Sequence, residues 1–500
     1  MTDETNERAL DVLASINTQG LIGRRDLLRR ASLFGAVATL GGFTGVLSAC
    51  SSSGGGNGSG GSSTITVGID SGAYTPVLKA FAPEMKKATG VDVKLVSYPL
   101  EHMYDQNLLA LRQPQGRYDA FDFWPNYVGD FGPFLMPLDE AGDVADLNLG
   151  DIAPGFQLLN RYGGKQVGVT MDGDMFIGTY RTDLFEKQSE QEAFQKRYGY
   201  KLAPPATFAQ YKDTAEFFTR PGENLYGAVE VTNYFVYGFF LNHLVQLASS
   251  KGQNYGELFD ANMKPLVTGD LVVEALTNYV NMKKYMPPQI AANLPWDKGR
   301  EVFFSGQIAQ ANWWTDMPKG AADPKTSKVS GKIKCAPSWG DVTMLPYGRA
   351  MGIPKNSRNA SASFKALVFI QQSRNADKWV AETFSQSLID PWRMSMFKNP
   401  KSTFPLQAES GFADNFASIS KQLLERKKVF PDLAIPGMAK YLDSIVRHVS
   451  EALTEQKSVT AALGAMATEF ESITDGIGRD QQVKQYQEYR SLMTGNGYWT

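Results

Sequence analysis

Hydrophobic and polar residues alternate in two short segments, residues 64–69 and residues 91–96. Alternation at a period of two is typical of a β-strand that is buried on one face. The apolar residues between the two segments recur at helical spacing and are Leu78, Phe81, Met85 and Ala88. A strand, a helix and a second strand in succession predict an α/β fold with parallel pairing of the two strands.

Two apolar stripes at helical spacing lie further along the chain, within residues 441–453 and 463–473. Ser458 precedes the second stripe and is suited to cap a helix there. Additional strands are predicted at residues 118–123 and 307–311. We expect the two helices to be amphipathic and to pack on a larger α/β body.

The first fifty residues have the order of an export signal. Residues 23–30 are basic, residues 31–47 are apolar and rich in Gly and Ala, and residues 47–50 read Leu-Ser-Ala-Cys. The paired Arg24 and Arg25 resemble a twin-arginine signal. Residues 47–50 resemble a bacterial lipobox, in which the cysteine is lipidated and becomes the new N-terminus. The sequence therefore predicts a signal peptide over residues 1–49 and a lipid on Cys50.

Residues 51–63 contain only Ser, Gly and one Asn, which is the composition of a flexible tether. A lipid on Cys50 would hold the protein in the cell envelope, at the outer face of the cytoplasmic membrane. The alternative interpretation is a Gly-rich helix with an incidentally buried cysteine. Whether export is twin-arginine or general secretory stays open.

Composition narrows the function classes. The chain has 500 residues, is 43% hydrophobic and 20% charged, and carries a formal net charge of −2. Such a chain is neither disordered nor a multispan membrane protein, and its balanced charge gives no reason to expect a nucleic-acid partner. Three histidines and two cysteines exclude a disulfide scaffold and a Cys-rich metal cluster. We predict no metal and no cofactor.

Several segments resemble, in order, the motifs of one family. They are RYDAFD at 117–122, FLMPLD at 134–139, GKQVGV at 164–169, TYRTDLF at 179–185, PPATF at 204–208, FFSGQIA at 303–309 and GIPKNS at 352–357. They are similar to motifs of the bacterial extracellular solute-binding proteins of ABC importers, in the sugar-binding, maltose-binding-like cluster. Within PPATF, Thr207 is suited to cap the following helix. Thr170 departs from the family, which commonly has a proline there.

The resemblance implies an α/β fold of the type II periplasmic-binding-protein kind, with two lobes and a hinge. One lobe would comprise residues 64–168 and 334–372, the other residues 169–333 and 373–500. Residues 167–171 and 332–337 would cross between them. The implied function is capture of a sugar, oligosaccharide or polyol by hinge closure. The implied partners are a permease and its separate ATPase, and the protein itself would be a monomer.

Asp122, Trp124 and Asn126 lie at and just after a predicted strand end, where an α/β sheet presents its ligand crevice. A carboxylate accepts hydrogen bonds from two sugar hydroxyls, and an indole covers the apolar face of a pyranose. The family resemblance also implies ligand contacts in this loop. Alternatively, Trp124 packs in the core and Asp122 caps the turn before Pro125.

Two further pairs are ligand-binding candidates from the resemblance. Asp172 and Asp174 flank a glycine where the family often has an acidic ligand contact, although such a sequence also forms Asx turns. Trp313 and Trp314 resemble the aromatic position at the family's cleft. Neighbouring side chains on a strand point in opposite directions, so we expect one indole in the cleft and one in the core. The sequence does not distinguish them.

Trp392 and Arg393 belong to an Asp-Pro-Trp-Arg segment that resembles one of the larger sugar binders. A guanidinium forks onto vicinal hydroxyls or onto a carboxylate. The alternative is a surface turn in which Arg393 pairs with solvent or Glu409. Arg349, next to Gly348, is a candidate of the same kind. The three histidines are expected to be satisfied or solvated.

No enzyme motif emerges, because neither G-x-S-x-G nor a P-loop occurs, and the match to G-x-G-x-x-G at 56–61 lies in the tether. We therefore predict that the protein is not an enzyme. Two alternatives stay open. One is a secreted glycoside hydrolase, because Asp122, Asp172 and Asp174 with nearby tryptophans resemble a two-carboxylate site. The other is a binding protein for a non-sugar solute such as a polyamine, with the same carboxylates paired to ammonium groups.

Overall fold

A computed structural model describes residues 63–72, 74–383, 389–406 and 411–499. The predicted signal peptide, Cys50 and nearly all of the tether lie outside these residues. Within them, no helix is both long and apolar enough to cross a membrane.

A five-stranded sheet forms the first lobe. Its strands are β1 (Ser63–Asp70), β2 (Val91–Tyr98), β3 (Ala120–Phe123), β6 (Gly168–Asp172) and β12 (Arg349–Gly352). They lie side by side in the order β2-β1-β3-β12-β6. β1 pairs parallel with both β2 and β3, whereas β12 runs antiparallel to β3 and β6. The predicted parallel strand-helix-strand opening is confirmed.

A four-stranded sheet forms the second lobe. Its strands are β7 (Phe176–Arg181), β8 (Tyr226–Val229), β9 (Ile308–Trp314) and β10 (Ile333–Ala336), in the order β10-β7-β9-β8. Two small ladders complete the strands: β4 (Arg161–Tyr162) with β5 (Lys165–Gln166), and β11 (Val342–Leu345) with β13 (Lys428–Pro431). The mixed α/β fold with two lobes agrees with the prediction.

The α-helices of the described residues cover both sheets. In chain order they are α1 (Tyr74–Thr89), α2 (Met103–Arg112), α3 (Val128–Phe131), α4 (Leu138–Ala141), α5 (Pro154–Gln157), α6 (Thr182–Phe185), α7 (Gln188–Tyr198), α8 (Phe208–Phe218), α9 (Val236–Ser250), α10 (Asp270–Asn281), α11 (Trp296–Phe304), α12 (Asp316–Ala322), α13 (Ala360–Gln371), α14 (Ser373–Thr383), α15 (Pro400–Thr403), α16 (Phe412–Leu424), α17 (Met438–Leu453), α18 (Val459–Ile477) and α19 (Arg479–Gly495).

Local sequence signals account for several of these helices. The predicted stripe of α1 is buried against the first sheet, and the helix ends before Gly90, whose φ of +72° is a left-handed value that glycine adopts without strain. Thr207 accepts a hydrogen bond from the backbone N–H of Gln210, and Ser458 accepts one from Ala461. Both predicted N-caps are confirmed.

The connections between the lobes differ from the expected segments. β6 pairs with β12 in the first sheet, so the chain first crosses between Asp172 and Phe176 rather than at 167–171. β10 pairs with β7 in the second sheet, so the second crossing follows Ala336 rather than spanning 332–337. α14 lies on α1 of the first lobe, with the rings of Trp379 and Phe81 5.0 Å apart, although residues from 373 on were assigned to the other lobe. Strand pairing over long sequence distances set these boundaries.

Candidate ligand-binding cleft

The two sheets point their strand ends at each other across a narrow cavity. Asp70 ends β1, Asp172 ends β6, and Arg349 begins the antiparallel β12, so all three lie on one edge of the first sheet. On the second sheet, Trp314 ends β9 opposite Phe176, which begins β7. Ligand crevices of α/β proteins lie at such strand ends.

The cavity holds about 60 Å³ of free space. Its lining residues are Tyr74, Leu100, Trp124, Asp174, Phe235, Trp296, Trp314, Asp316, Tyr347 and Arg349. This space accommodates roughly four water molecules. Any molecule larger than a few waters therefore requires the lobes to separate before it can enter the cavity.

A wider groove of about 780 Å³ leads outward from the cavity and shares Leu100, Phe235 and Trp296 with it. Its other lining residues are Asp70, Ser71, Gly72, Pro99, Glu101, Asn233, Tyr234, Pro295, Asp297 and Arg300. Both lobes contribute to the groove. Cavity and groove together form the cleft between the lobes.

Arg349 is the charged centre of the first-lobe wall and is buried. Its guanidinium lies 3.4 Å from Asp70 and 3.3 Å from Asp122, between the rings of Tyr74 and Trp124 at 4.9 and 5.3 Å. Burial raises the pKa of Asp122 to about 6, although the Arg349 charge acts in the opposite direction. This guanidinium presents an edge to the cavity while two carboxylates balance its charge.

Three carboxylates meet at the first crossing. Oxygen atoms of Asp172, Asp174 and Asp390 lie within 4.8 Å of one another. Asp172 accepts hydrogen bonds from the Tyr74 hydroxyl and from the backbone N–H of Asp390, and the Lys319 ammonium contacts Asp390. The three oxygens are close enough to hold a cation, but the buried ammonium of Lys319 already supplies a positive charge there.

Proximity and burial change the acidity of these groups. Burial, together with the neighbouring Asp390, raises the pKa of Asp172 to about 7. Burial and the charges of Asp172 and Asp390 raise the pKa of Asp174 well above its usual range. Asp174 lines the cavity and accepts a hydrogen bond of 3.0 Å from the backbone N–H of Gly348. Asp174 is therefore a carboxyl group at the cavity wall whose pKa lies well above its usual range.

Aromatic rings form most of the remaining wall. The Trp124 and Tyr347 centroids are 4.8 Å apart, Phe235 lies 5.1 Å from Tyr347, and Trp314 lies 5.8 Å from Phe235. The buried Nε1–H groups of Trp124 and Trp314 have no hydrogen-bond partner among the described residues. Tyr347 adopts a φ of +69°, a left-handed value that is uncommon for residues with a side chain. The rings and free N–H donors suit an apolar face with hydroxyls at its rim.

Asp316, at the start of α12, contributes the acidic group of the second lobe. Its Oδ2 lies 3.2 Å from Nε of Arg300, which in turn lies over the Trp296 ring at 5.2 Å. Its other oxygen, Oδ1, is buried and has no hydrogen-bond partner among the described residues. Burial raises the pKa of Asp316 to about 6.

The structure brings four of the sequence candidates to the cavity and two directly behind it. Trp124, Asp174, Trp314 and Arg349 line the cavity. Asp122 is fully buried behind Arg349, where it also accepts a hydrogen bond of 2.5 Å from Tyr98. Asp172 is fully buried behind Tyr74 and Arg349. These two aspartates support the wall rather than lining it.

Trp313, expected as one of two alternatives at the cleft, lies in the core. Its indole is fully buried, and its ring packs 5.0 Å from Phe239. It also fills the space beside Gly299, where a Cβ atom would come within 2.4 Å of the indole. Strand alternation thus leaves Trp314 as the indole at the cavity.

Asn126, Trp392 and Arg393 lie away from the cavity. Asn126 donates a hydrogen bond of 3.1 Å to Asp432. Arg393 is fully buried and contacts Asp151 at 2.9 Å, whereas the sequence placed it at the ligand or in a solvent-exposed turn. The indole of Trp392 donates to Gln371 at 3.2 Å. These polar groups are occupied by other segments of the chain.

Sequence reasoning missed five aromatic or apolar lining residues and one acidic one: Tyr74, Leu100, Phe235, Trp296, Tyr347 and Asp316. A signal existed for Asp316, which follows a predicted strand by the same rule that selected Asp122. Tyr347 adjoins the Gly-Arg pair that drew attention to Arg349. The others lie in loops or at helix starts with no local pattern.

Residues 68–377, more than half of the chain, match the family model of the bacterial extracellular solute-binding proteins. A probable ABC transporter-binding protein of Deinococcus radiodurans is 27% identical over 285 residues, which are 55% of this chain. The matched region spans 62% of that relative's length.

Several solved structures are similar in fold. A solute-binding protein of Agrobacterium radiobacter in complex with ribitol has a TM-score of 0.65 at 19% identity, covering 83% of this chain and 99% of its own. Maltose-bound MalE3 of T. maritima has a TM-score of 0.66 at 20% identity, and the match covers 82% of this chain and 99% of that protein. A solute-binding protein of Agrobacterium vitis with bound D-mannitol has a TM-score of 0.64 at 20% identity, and the match covers 83% of this chain and 99% of that protein. With a matching family model, a two-lobed fold and a cleft between the lobes, the chain belongs to the bacterial extracellular solute-binding protein family.

Proposed function

We propose that this protein is the substrate-binding component of an ABC importer and captures a sugar, oligosaccharide or polyol between its lobes. The observation that carries the proposal is the cavity itself, in which both lobes present aromatic rings beside acidic and guanidinium groups. Indole faces cover the C–H face of a sugar ring, and carboxylates and guanidinium groups bind its hydroxyls. Structural neighbours that hold ribitol, maltose or mannitol support this ligand class.

Ligand capture would proceed by hinge closure. The backbone crosses between Asp172 and Phe176 and between Ala336 and Arg349. It crosses a third time between α14 on the first lobe and α16, whose Asn415 bonds to Cys335 of β10. Rotation at these segments would separate the two walls. Ligand would stabilise the closed form in proportion to its greater affinity for that form. A permease would recognise the closed form, and a separate ATPase would supply the energy. In this proposal the protein is a monomer that performs no chemistry on its ligand.

The proposed location is the outer face of the cytoplasmic membrane, through a lipid on Cys50 after export by a twin-arginine-type signal. The order of basic, apolar and small residues before Cys50 supports this placement. Changing Cys50 to Ala should leave the signal uncleaved or release the protein from membranes. Membrane fractionation with metabolic labelling by a fatty acid measures both. A Cys50→Ala protein that is still processed and labelled would refute the lipid anchor.

The ligand proposal is tested by a thermal-shift screen against sugars, polyols and polyamines, followed by calorimetry with the best ligand. Bound ligand raises the apparent stability by mass action. Trp314→Ala should weaken binding by about 2 kcal/mol, or roughly thirtyfold, because it removes a wall of the cavity. Trp313→Ala is the matched control on the same strand. It should lower the unfolding free energy by about 3 kcal/mol and leave the affinity of the folded protein unchanged.

The two tryptophan variants and one aspartate variant also show whether the ligand site or the function has been assigned wrongly. If Trp313→Ala weakens binding and Trp314→Ala does not, the cavity is not the ligand site. If the protein hydrolyses an oligosaccharide and Asp174→Asn abolishes that turnover, the glycoside hydrolase alternative replaces the proposal.

A further inference from the structure

The cleft walls contain more carboxyl groups than cations. Among the described residues at the cavity and directly behind it, the acidic groups are Asp70, Asp122, Asp172, Asp174, Asp316 and Asp390, and the basic groups are Arg300, Lys319 and Arg349. If all were ionised, three negative charges would be uncompensated in a buried region. Buried charges that lack a counter-charge are strongly unfavourable.

Each of the three cations already has a carboxylate partner. Arg349 lies between Asp70 and Asp122, and Lys319 contacts Asp390. Arg300 contacts one oxygen of Asp316. Among the described residues, neither Asp172 nor Asp174 forms an ion pair within 4.0 Å. The uncompensated charge is therefore concentrated beside the cavity, at Asp174.

The second lobe presents an acceptor to the same cavity. Oδ1 of Asp316 is buried and has no hydrogen-bond partner among the described residues. Burial is the main cause of the raised pKa of Asp316, and the negative charge of Asp390 raises it further. The acidic groups of the two walls therefore interact electrostatically. Burial and the charges of Asp172 and Asp390 also raise the pKa of Asp174, as expected for carboxyl groups that lack a counter-charge.

The groove outside the cavity has the same charge imbalance. Its ionisable lining residues are Asp70, Glu101 and Asp297 against Arg300. An acidic approach raises the local concentration of cations and accelerates their association. The aromatic wall adds a second preference, since aromatic rings such as Trp314 and Tyr347 attract cations electrostatically, as Trp124 already does with Arg349.

We infer that the ligand of this cleft carries a positively charged amino group, which binds between Asp174 and Asp316 against the aromatic wall. The inference rests on the proposed function: the ligand would be an amino sugar or an amino polyol rather than its neutral counterpart. Neutral hydroxyls can donate to Asp174 and Asp316, but they bring no positive charge to a cleft with more carboxyl groups than cations. An ammonium group can donate to both carboxyl groups and supplies a positive charge there.

Matched ligands test the inference by calorimetry on the purified protein. Glucosamine is compared with glucose and N-acetylglucosamine, and 1-amino-1-deoxysorbitol with sorbitol. Acetylation retains the nitrogen but removes its charge. We expect at least one amine to bind ten times more tightly than its neutral partners at pH 7. The binding heat should also depend on the ionisation enthalpy of the buffer, because the ammonium displaces protons from the carboxyl groups.

Single substitutions in the two walls test where the amino group of the ligand binds. Asp174→Asn and Asp316→Asn should each reduce the ratio of amine to neutral affinity at least fivefold. Asp414→Asn, an exposed carboxylate on α16, is the matched control and should leave the ratio unchanged. Because the ratio compares two ligands on one variant, loss of stability cancels, and unfolding midpoints without ligand verify that each variant folds.

The outcomes separate this inference from the proposed function. Neutral sugars or polyols that bind as tightly as their amines would overturn the inference and leave the proposed function intact. Spermidine that binds more tightly than every sugar and polyol would support a cationic ligand and overturn the sugar assignment. An amine preference that persists in both Asn variants would overturn the binding position.

Discussion

Two buried arginines, Arg349 and Arg393, occupy very different surroundings. Arg393 contacts Asp151 at 2.9 Å and donates to Gln371 at 2.6 Å and to the carbonyl of Asn148 at 2.7 Å. The nearest carboxylate oxygens of Arg349 are 3.3 and 3.4 Å away, and its remaining edge faces a cavity. Arg393 is saturated by its own chain, whereas Arg349 retains hydrogen-bonding capacity.

This difference separates a structural arginine from a ligand-facing one. A buried guanidinium has five N–H donors, and a stable interior satisfies nearly all of them. Where protein atoms accept all of these N–H groups, the arginine links segments of the fold. Where part of the guanidinium borders an aromatic cavity, a ligand can accept the remaining hydrogen bonds. Burial alone does not distinguish the two, because Arg349 is only 4% exposed and Arg393 is 0% exposed.

The largest expected effect is on stability at Arg393. Replacing it with Met should lower the free energy of unfolding by about 3 kcal/mol, because Asp151 and two backbone carbonyls lose their partner in a buried site. Urea denaturation measures this loss. Lys165→Met removes an exposed pair with Asp139 and should change the same quantity by less than about 1 kcal/mol.

If Arg393→Met unfolds like the unmodified protein but no longer binds ligand, the comparison is reversed and the Asp-Pro-Trp-Arg segment belongs to the binding site. Equal losses in Arg393→Met and Lys165→Met would show that the contacts of Arg393 are not formed in solution.

A smaller effect, on affinity, is expected at Arg349. Arg349→Lys retains a positive charge between Asp70 and Asp122 but loses the planar fork and the stacking between Tyr74 and Trp124. Binding should weaken by about 2 kcal/mol, and the free energy of unfolding should change by about 1 kcal/mol. Calorimetry with the best ligand and urea denaturation measure the two quantities.

Arg393→Lys is the matched control, since it makes the same chemical change at the saturated site. It should lower stability and leave affinity unchanged in the folded protein. Arg349→Lys with normal affinity would remove Arg349 from the ligand site.

Patterns within one element carried the sequence predictions that succeeded. The alternation of residues 64–69, the stripe of α1 and the caps at Thr207 and Ser458 depend on neighbours within a few residues, and the structure reproduces them. Position at a strand end together with the family resemblance selected Trp124, and the resemblance selected Asp174; both residues line the cavity. Both signals are local in sequence.

The remaining features depend on contacts between distant segments. Arg393 pairs with Asp151, which is 242 residues away, and Asn126 donates a hydrogen bond to Asp432, which is 306 residues away. No sequence pattern around Arg393 or Asn126 indicates its partner, so the surroundings of these two side chains could not be deduced. The choice between Trp313 and Trp314 likewise required knowing which face of β9 meets Phe239 and which meets the cavity.

The last prediction concerns how stability depends on pH around Arg349. Burial raises the pKa of Asp172 to about 7 and that of Asp122 to about 6, whereas an unfolded aspartate titrates near 3.9. Between these values the folded protein binds more protons than the unfolded chain. The free energy of unfolding without ligand should therefore fall as the pH rises from about 5 to 7, by about 2 kcal/mol per pH unit for the two groups together, and level off above the folded pKa.

Asp172→Asn removes one of these titrating groups, so its stability should depend less steeply on pH over the same interval. Urea denaturation of both proteins at half-unit steps of pH measures the two slopes. If the unmodified protein becomes more stable as the pH rises from 5 to 7, the aspartates behind Arg349 are ionised and already compensated. Arg349 would then be as saturated as Arg393, and the contrast between the two arginines would not hold.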